Sequence, residues 1–209
     1  MQKVSCLLFL VLSIWVNAHA QTFKPVSDPS KVLAALKKSS ESATSVQADF
    51  EEEKTMAVLK EPQRSSGVFY YRKNDKMRWE QQKPTKYIIL IDGDKLRVQE
   101  NGKDKNVGQA GRMAAQIRNL MLGLVNGNFQ NSKDFSQTVS ESTNAYQISL
   151  IPLNKRVKGM YKQIDLVFSK NNLRLKDLTF YQKDGDKSVM KFTNEKVNQP
   201  ITDRIFSEL

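Results

Sequence analysis

The chain has 209 residues, 33 lysines and arginines against 22 acidic residues, a formal net charge of +11, one cysteine and one histidine. That length allows one domain with a sizeable core, or at most two small ones. Cys6 and His19 both fall in the first twenty residues. The chain beyond them can therefore form no disulfide, no Cys/His zinc site, and no thiol or Ser-His-Asp nucleophile.

Those first twenty residues read "MQKVSCLLFLVLSIWVNAHA". Lys3 precedes an apolar run over 6–16, and small residues follow at Ala18 and Ala20. This is the pattern of a secretory signal peptide cut before Gln21, and the run is too short to span a bilayer comfortably. Cys6 lies inside the run rather than at its end, so it is not placed as a lipidation cysteine. The expected division is a signal peptide at 1–20 and a single domain at 21–209. Loss of Lys3 leaves 32 basic against 22 acidic residues, a net +10. In an exported chain that charge suits an anionic membrane surface or an acidic partner better than nucleic acid.

Asp28-Pro29 reads as an N-cap with proline at the first helical position. Val32, Leu33 and Leu36 then form a narrow apolar stripe, with Lys37 and Lys38 on the wet side. From Val46 the period changes to two through Ala48 and Phe50. Strands are expected at 66–72, 76–82, 85–91 and 95–100, separated by turn signals at Asn74-Asp75 and Asp92-Gly93 and followed by another at Asn101-Gly102. Met77 and Trp79 face one way, while Lys76, Arg78 and Glu80 face the other. Ile88 to Ile91 run together without alternation, so both faces of that strand should leave water.

The spacing of Met113, Ile117, Leu120, Met121 and Leu124 predicts a helix over 111–124, ended by Asn126-Gly127. Strand patterns return at 145–151, 161–168, 173–181 and 187–197, with a turn at Asp184-Gly185. The expected fold is mainly β with α: a large, strongly curved antiparallel sheet with a few inserted helices. Its dry face of Met77, Trp79, Ile89 and Ile91 needs a cover, and two amphipathic helices are available.

Chemical motifs are sparse. The two Asp-Gly-Asp stretches do not extend into a calcium loop and read as hairpin turns. Glu51, Glu52 and Glu53 are adjacent strand residues that alternate between faces, which suits a solvated strand rather than an acid/base pair. Nucleophile-elbow, Walker and dinucleotide-binding patterns are absent from the sequence. Met113 and Met121 suit either ordinary core or a surface that accepts variable apolar ligands.

Several stretches together resemble the periplasmic outer-membrane lipoprotein carrier family, LolA. They are "YYRKNDKMRWEQQKP" and "YIILIDGDKL", with Trp79, Pro84 and Asp92-Gly93 at the family's spacing; "SVQADFEEEK" (45–54); "YQISLIP" (146–152); "LTFYQKDGDKSVMKF" (178–192); and "ITDRIF" (201–206). The likeness covers essentially the whole chain after residue 20.

The resemblance implies an incomplete antiparallel β-barrel closed by a lid of α-helices, with a hydrophobic cavity between them. It implies a non-enzymatic periplasmic carrier, without cofactor or metal and monomeric. Such a carrier takes acylated lipoproteins from an inner-membrane ABC transporter of the LolCDE type to an outer-membrane acceptor. Leu33, Leu36, Phe50, Met77, Trp79, Tyr87, Ile89, Ile91, Met113, Ile117, Leu120 and Met121 would line the acyl-chain cavity. The family's lid-holding arginine, six residues before the tryptophan, is replaced here by Lys73, with Arg72 one place earlier. Either Arg72 takes that role after a one-residue bulge, or the lid is held differently, because lysine cannot fork as arginine does. A carrier-fold module that binds another lipid or senses lipidated protein needs the same cavity and stays open as an alternative. An exported enzyme would need carboxylate-only chemistry, for which the sequence offers no convergent pair.

Overall fold

A computed structural model describes residues 22–106 and 134–209. The expected signal peptide at 1–20 and the expected helix at 111–124, with Met113, Ile117, Leu120 and Met121, lie outside the described residues.

The first strand is two residues long (β1, Lys24–Pro25), and α1 (Pro29–Ser42) follows it. The helix starts where the sequence indicates: the Asp28 side chain accepts from the amide of Lys31 at 3.0 Å, and Pro29 occupies the first turn. Six antiparallel strands follow: β2 (Ser45–Thr55), β3 (Gln63–Arg72), β4 (Lys76–Lys83), β5 (Tyr87–Asp92), β6 (Lys95–Glu100) and β7 (Lys103–Lys105). Beyond residue 133 come β8 (Phe135–Glu141), β9 (Ala145–Pro152), α2 (Lys155–Met160), β10 (Tyr161–Ser169), β11 (Leu175–Gln182), β12 (Lys187–Val197) and α3 (Arg204–Ser207).

The strands form one antiparallel sheet ordered β1-β8-β9-β10-β11-β12-β2-β3-β4-β5-β6-β7. The two halves of the chain are joined where β12 pairs with β2, with Phe192 opposite Phe50. Within the described residues the sheet does not close, and its ends are blunted. β7 is the exposed Lys-Asp-Lys, while β1 is two residues ending in proline. The turns carry the conformations their residues favour. Asn74 and Asp75 both have positive φ, as do Asn101 and Gly102.

The expected meander is present, and the differences have local causes. β5 begins at Tyr87 rather than 85, because Pro84 and the turn after it occupy the preceding positions. β11 begins at Leu175 rather than 173, because Leu173 has φ of 56° and cannot continue a strand. β8 was not expected: "FSQTVSE" buries only Val139 and carries little apolar alternation. The short β1, β7, α2 and α3 were also unanticipated.

One face of the sheet carries the core. Leu36, Phe50, Phe69, Met77, Trp79, Ile91, Ile148, Leu150, Ile164, Leu166 and Phe180 belong to one packed cluster, with Val32, Leu33 and Ile89 against it. α1 thus covers the concave face. The opposite face of β5 is dry as well: Ile88 and Leu90 are fully buried. Their cover is α3, which packs on β4 and β5 and buries Phe206. This short C-terminal helix explains the unalternating isoleucine run. Gly67 lies in β3 at the register shift in its pairing with β4. A Cβ there would sit 1.9 Å from the Glu80 carbonyl oxygen, so only glycine fits.

Candidate functional site

A cavity of about 90 Å³ opens on the concave face beneath the C-terminal half of α1. It lies toward the sheet end where β2, β11 and the β3–β4 turn meet. Val46 and Ala48 of β2, Phe69 and Tyr71 of β3, Met77 and Trp79 of β4, Phe168 of β10, Leu175 and Leu178 of β11 and Phe192 of β12 form its walls. Ser40 of α1 and Ala43 just beyond its end contribute, and Leu173, Arg174 and Glu195 complete the rim. Period-two alternation on β2, β3 and β4 puts these apolar side chains on one face.

Aromatic rings make its floor, and the Trp79 indole is backed by Phe50 of the adjoining core, stacked with centroids 3.9 Å apart and planes 29° apart. Phe192 meets Trp79 edge-on at 6.3 Å, and Phe69 lies 6.2 Å from the same indole. Burial raises the pKa of the Tyr71 hydroxyl. The lining is therefore almost wholly hydrocarbon and neutral phenol, a place for apolar matter rather than for charge.

Of the residues expected at an acyl-chain cavity, Met77 and Trp79 line this space. Phe50, Leu36 and Ile91 lie within the adjoining packed core, with Leu33 and Ile89 against it. Tyr87 is at the far end of β5 and half-buried, paired with Gln81 and Glu100 rather than near the opening. The sequence did not single out Phe69, Tyr71, Phe168, Phe192, Arg174 or Glu195. The first four are apolar residues on alternating strands and could have been found by carrying the period-two reading across every strand.

Two cations hold the last turn of α1. Lys73 Nζ donates to the Glu41 carbonyl at 2.6 Å, and Arg174 donates from Nη1 to the Ser39 carbonyl at 3.4 Å. Both acceptors belong to the final carbonyls of a helix, which lack the usual backbone donors and attract positive charge, and the Ser39 carbonyl also accepts from the Ser42 hydroxyl at 2.7 Å. Arg72 and Lys73 are not brought together. β3 and β4 pair without a bulge from Tyr71 to Lys76, so Arg72 addresses the opposite face. There it donates to the Ile201 carbonyl at 2.8 Å, pairs with Asp203, and lies 5.0 Å above the Phe206 ring. Arg78 and Arg97 join it on that face. Arg78, almost fully buried, donates to the carbonyls of Ile205 and Glu208, and Arg97 donates to that of Ser207 at 3.0 Å.

Glu195 reaches the cavity through a fault in the sheet. Thr193 pairs with Asp49 and Lys196 with Gln47, so two residues of β12 oppose Ala48 alone. Such a bulge reverses the alternation. Phe192 and Val197, five apart, both turn toward the concave side, and Glu195 turns with them while Asn194 and Lys196 stay exposed. Asn194 takes the left-handed conformation the bulge needs, φ 53°, and donates to Asp49 at 2.8 Å. Burial pushes the Glu195 carboxyl upward in pKa, and the positive charge of Arg174 opposes that shift in part.

The triple glutamate behaves as solvated strand. Glu53 pairs with exposed Arg64, and Glu52 accepts from the hydroxyls of Ser65 and Ser188 at the other end of the sheet. No group of three or more His, Cys, Asp or Glu among the described residues could hold a metal ion. None of the helices among them is long and apolar enough to cross a membrane.

The model of the family described as "Outer membrane lipoprotein carrier protein LolA" matches residues 41–208. An outer-membrane lipoprotein carrier protein from Coxiella burnetii (strain CbuK_Q154) is 30% identical over 148 residues, which cover 69% of this chain and 66% of the relative, just under two thirds of its length. Among solved structures, a LolA superfamily protein from Nitrosomonas europaea aligns with a TM-score of 0.45 at 16% identity, over 85% of this chain and 96% of its own. The Pseudomonas aeruginosa MucA/MucB complex aligns with a TM-score of 0.45 at 13% identity, over 85% and 60%.

Proposed function

The chain belongs to the LolA family of outer-membrane lipoprotein carrier proteins, and from that membership we propose that it binds the acyl chains of lipoproteins beneath α1 and carries them across the periplasm. The observation that supports this most is the apolar cavity walled by Val46, Phe69, Met77, Trp79 and Phe192 and covered by the end of α1. In this reading residues 1–20 export the protein and are removed before Gln21. The cargo comes from an inner-membrane ABC transporter of the LolCDE type and passes to an outer-membrane acceptor. The protein acts as a monomeric carrier rather than as an enzyme.

The size of the cavity sets the mechanism. At about 90 Å³ the cavity is far smaller than the space one long acyl chain needs. Entry must therefore displace something, and among the described residues α1 is the helix that covers the cavity. It is held by the side chains of Val32, Leu33 and Leu36 in the core, by the two cation-to-carbonyl bonds at its end and by the Ser39 hydroxyl on the Leu173 carbonyl, and it packs against β8. Burying acyl chain contributes about 0.8 kcal/mol per CH₂, so one palmitoyl chain would gain roughly 12 kcal/mol. Two or three chains would exceed any affinity from which cargo could be released. Separating Leu36 and its neighbours from the aromatic floor costs about 1.5–3 kcal/mol per exposed side chain. That opposing cost makes the transfer reversible.

The same account assigns the acyl-facing role to Met77 and Trp79 directly. Leu33, Leu36, Phe50, Ile89 and Ile91 become accessible only when α1 lifts. Lys73 is the tether of the lid, and Arg72 instead anchors α3. The test is native mass spectrometry of the protein purified gently from its own envelope. A co-purifying triacylated protein is the expected result; a different lipid would favour the alternative of a specialised lipid-binding module, and a reproducible apo mass from cargo-rich envelopes would contradict both.

A further inference from the structure

Among the described residues, four large apolar side chains are exposed: Val58, Leu59, Ile151 and Leu153. Single exposed apolar residues are ordinary, but these four share one edge of the sheet. β2 and β9 run the same way, because four antiparallel pairings separate them, and both end at that edge. The cavity lies toward the opposite edge, where β2 and β11 begin. Val58 is the most exposed of the four, at 83%, and its backbone is held in place. The Leu59 amide donates to the Met56 carbonyl at 3.0 Å and closes a turn centred on Ala57 and Val58. The Ala57 amide donates to the Asp186 side chain at 3.0 Å. Turn centres usually carry Gly, Pro, Asn or Asp. Local geometry gives no reason for valine followed by leucine here, and neither side chain belongs to the packed core. The segments between strands at the same edge also carry Lys60, Lys86, Lys155, Lys158 and Lys183, all exposed, against exposed Glu61, Asp134 and Asp184. Asp186 is buried and already engaged by Ala57. On the opposite edge the turn cations Lys73, Lys170 and Arg174 each donate to a protein oxygen.

We propose that this edge docks the protein on an anionic phospholipid surface, with Val58 and Leu59 entering the headgroup region and the lysines lying over the phosphates. The inference goes beyond the carrier reading and does not require the cavity to be filled. A convex turn offers no groove to a protein segment, whereas the boundary between headgroups and acyl chains accepts apolar side chains in any arrangement. Lysines spread along the whole edge suit a continuous negative surface better than one acidic site. Each lysine near such a surface is worth roughly fivefold in affinity. Their long stems follow the apolar side chains inward while the ammonium groups stay among the phosphates. Ile151 and Leu153, roughly 20 Å along the sheet from the end of β2, give the edge a second contact. Two small side chains and a few lysines fall well short of a stable lipid anchor, so the docking is reversible. It leaves the cavity end and the last turn of α1 free.

Vesicle flotation at about 0.1 M salt tests this with the protein comprising residues 21–209. One set of vesicles is phosphatidylcholine alone, and the other contains about 30% phosphatidylglycerol. The expected result is saturable binding to the anionic vesicles, roughly tenfold or more stronger than to the neutral ones. Val58→Ser combined with Leu59→Ser should weaken it about tenfold. No binding to the anionic vesicles overturns the inference, and so does binding that the double variant retains in full, which would leave charge alone. A second readout keeps both apolar side chains. The chain after residue 20 has no cysteine, so Ala57→Cys can carry a single environment-sensitive dye beside Val58. Its emission should shift to the blue on anionic vesicles, and unchanged emission from vesicle-bound protein overturns the inference. A monomer–dimer equilibrium that the double variant abolishes, without vesicle binding, would give the edge to a second copy and overturn it as well. None of these outcomes touches the cavity, so the carrier reading stands or falls separately.

Discussion

Lys73 Nζ donates to the Glu41 carbonyl 2.6 Å away, so the turn after β3 holds the last turn of the helix that covers the cavity. The same turn is anchored through its backbone, because the Lys73 amide donates to Thr44 at 2.9 Å. Replacing Lys73 by Met removes only the side-chain bond. The expected cost is about 0.5–1.5 kcal/mol, felt locally. Hydrogen exchange should show faster opening of the α1 amides with little change in β9 and β10. Lys73→Arg, which can fork across two carbonyls, should slow α1 opening and delay cargo release.

Arg78 supports the other face. It is almost fully buried, it is paired with Glu80 at 2.7 Å, and it satisfies two carbonyls of the C-terminal helix segment. Arg78→Met should leave those carbonyls and Glu80 short of donors and destabilise the fold by about 3 kcal/mol. Chemical denaturation measures that loss, and exposure of Phe206 by proteolysis at α3 should accompany it.

Gly67 predicts a backbone conflict rather than a lost contact. A methyl group at this position meets the Glu80 carbonyl at 1.9 Å and the Gln81 Cα at 2.8 Å. Neither atom can rotate away, so the β3–β4 pairing must separate. Gly67→Ala should lower stability by about 3 kcal/mol or more, read as a lower denaturation midpoint.

Glu195 makes stability depend on pH in a defined sense. Burial raises its carboxyl above the ordinary value, with Arg174 opposing. A raised acid pKa means that the folded protein holds its proton to higher pH than the unfolded chain. Stability is therefore undiminished below the unfolded value near 4.3 and falls as pH rises through the folded value. Glu195→Gln should be more stable than the wild type at pH 7 and no more stable near pH 3.5. Thermal melts at the two pH values check this; equal differences at both would contradict it.

Much of the architecture was written in short-range patterns. Asp28-Pro29 starts α1, Asn74-Asp75 and Asn101-Gly102 make turns, and Met77-x-Trp79 sets the concave face. These signals act over a few residues and need no partner. Glu195 was hidden because its direction depends on an extra residue in one strand, visible in sequence only as Phe192 and Val197 five apart. The division of labour between Arg72 and Lys73 was likewise illegible. Adjacent strand-end residues take opposite faces, and what lies on each face, α1 or α3, comes from distant parts of the chain. β8 was missed since Ser136, Gln137, Thr138 and Ser140 are polar, and only pairing with the strongly apolar β9 makes it a strand.

Trp79 gives the most direct test. The sequence has two tryptophans, and the other, Trp15, lies within the expected signal peptide. In the protein comprising residues 21–209 the indole of Trp79 is therefore the sole tryptophan reporter, and it lines the cavity. Bromine atoms on an acyl chain quench indole fluorescence only near contact. Titration with a lipopeptide bearing brominated chains should give saturable quenching, absent with the unbrominated form and competed by it. Binding by titration calorimetry without any quenching of Trp79 would place the chains elsewhere and contradict the account.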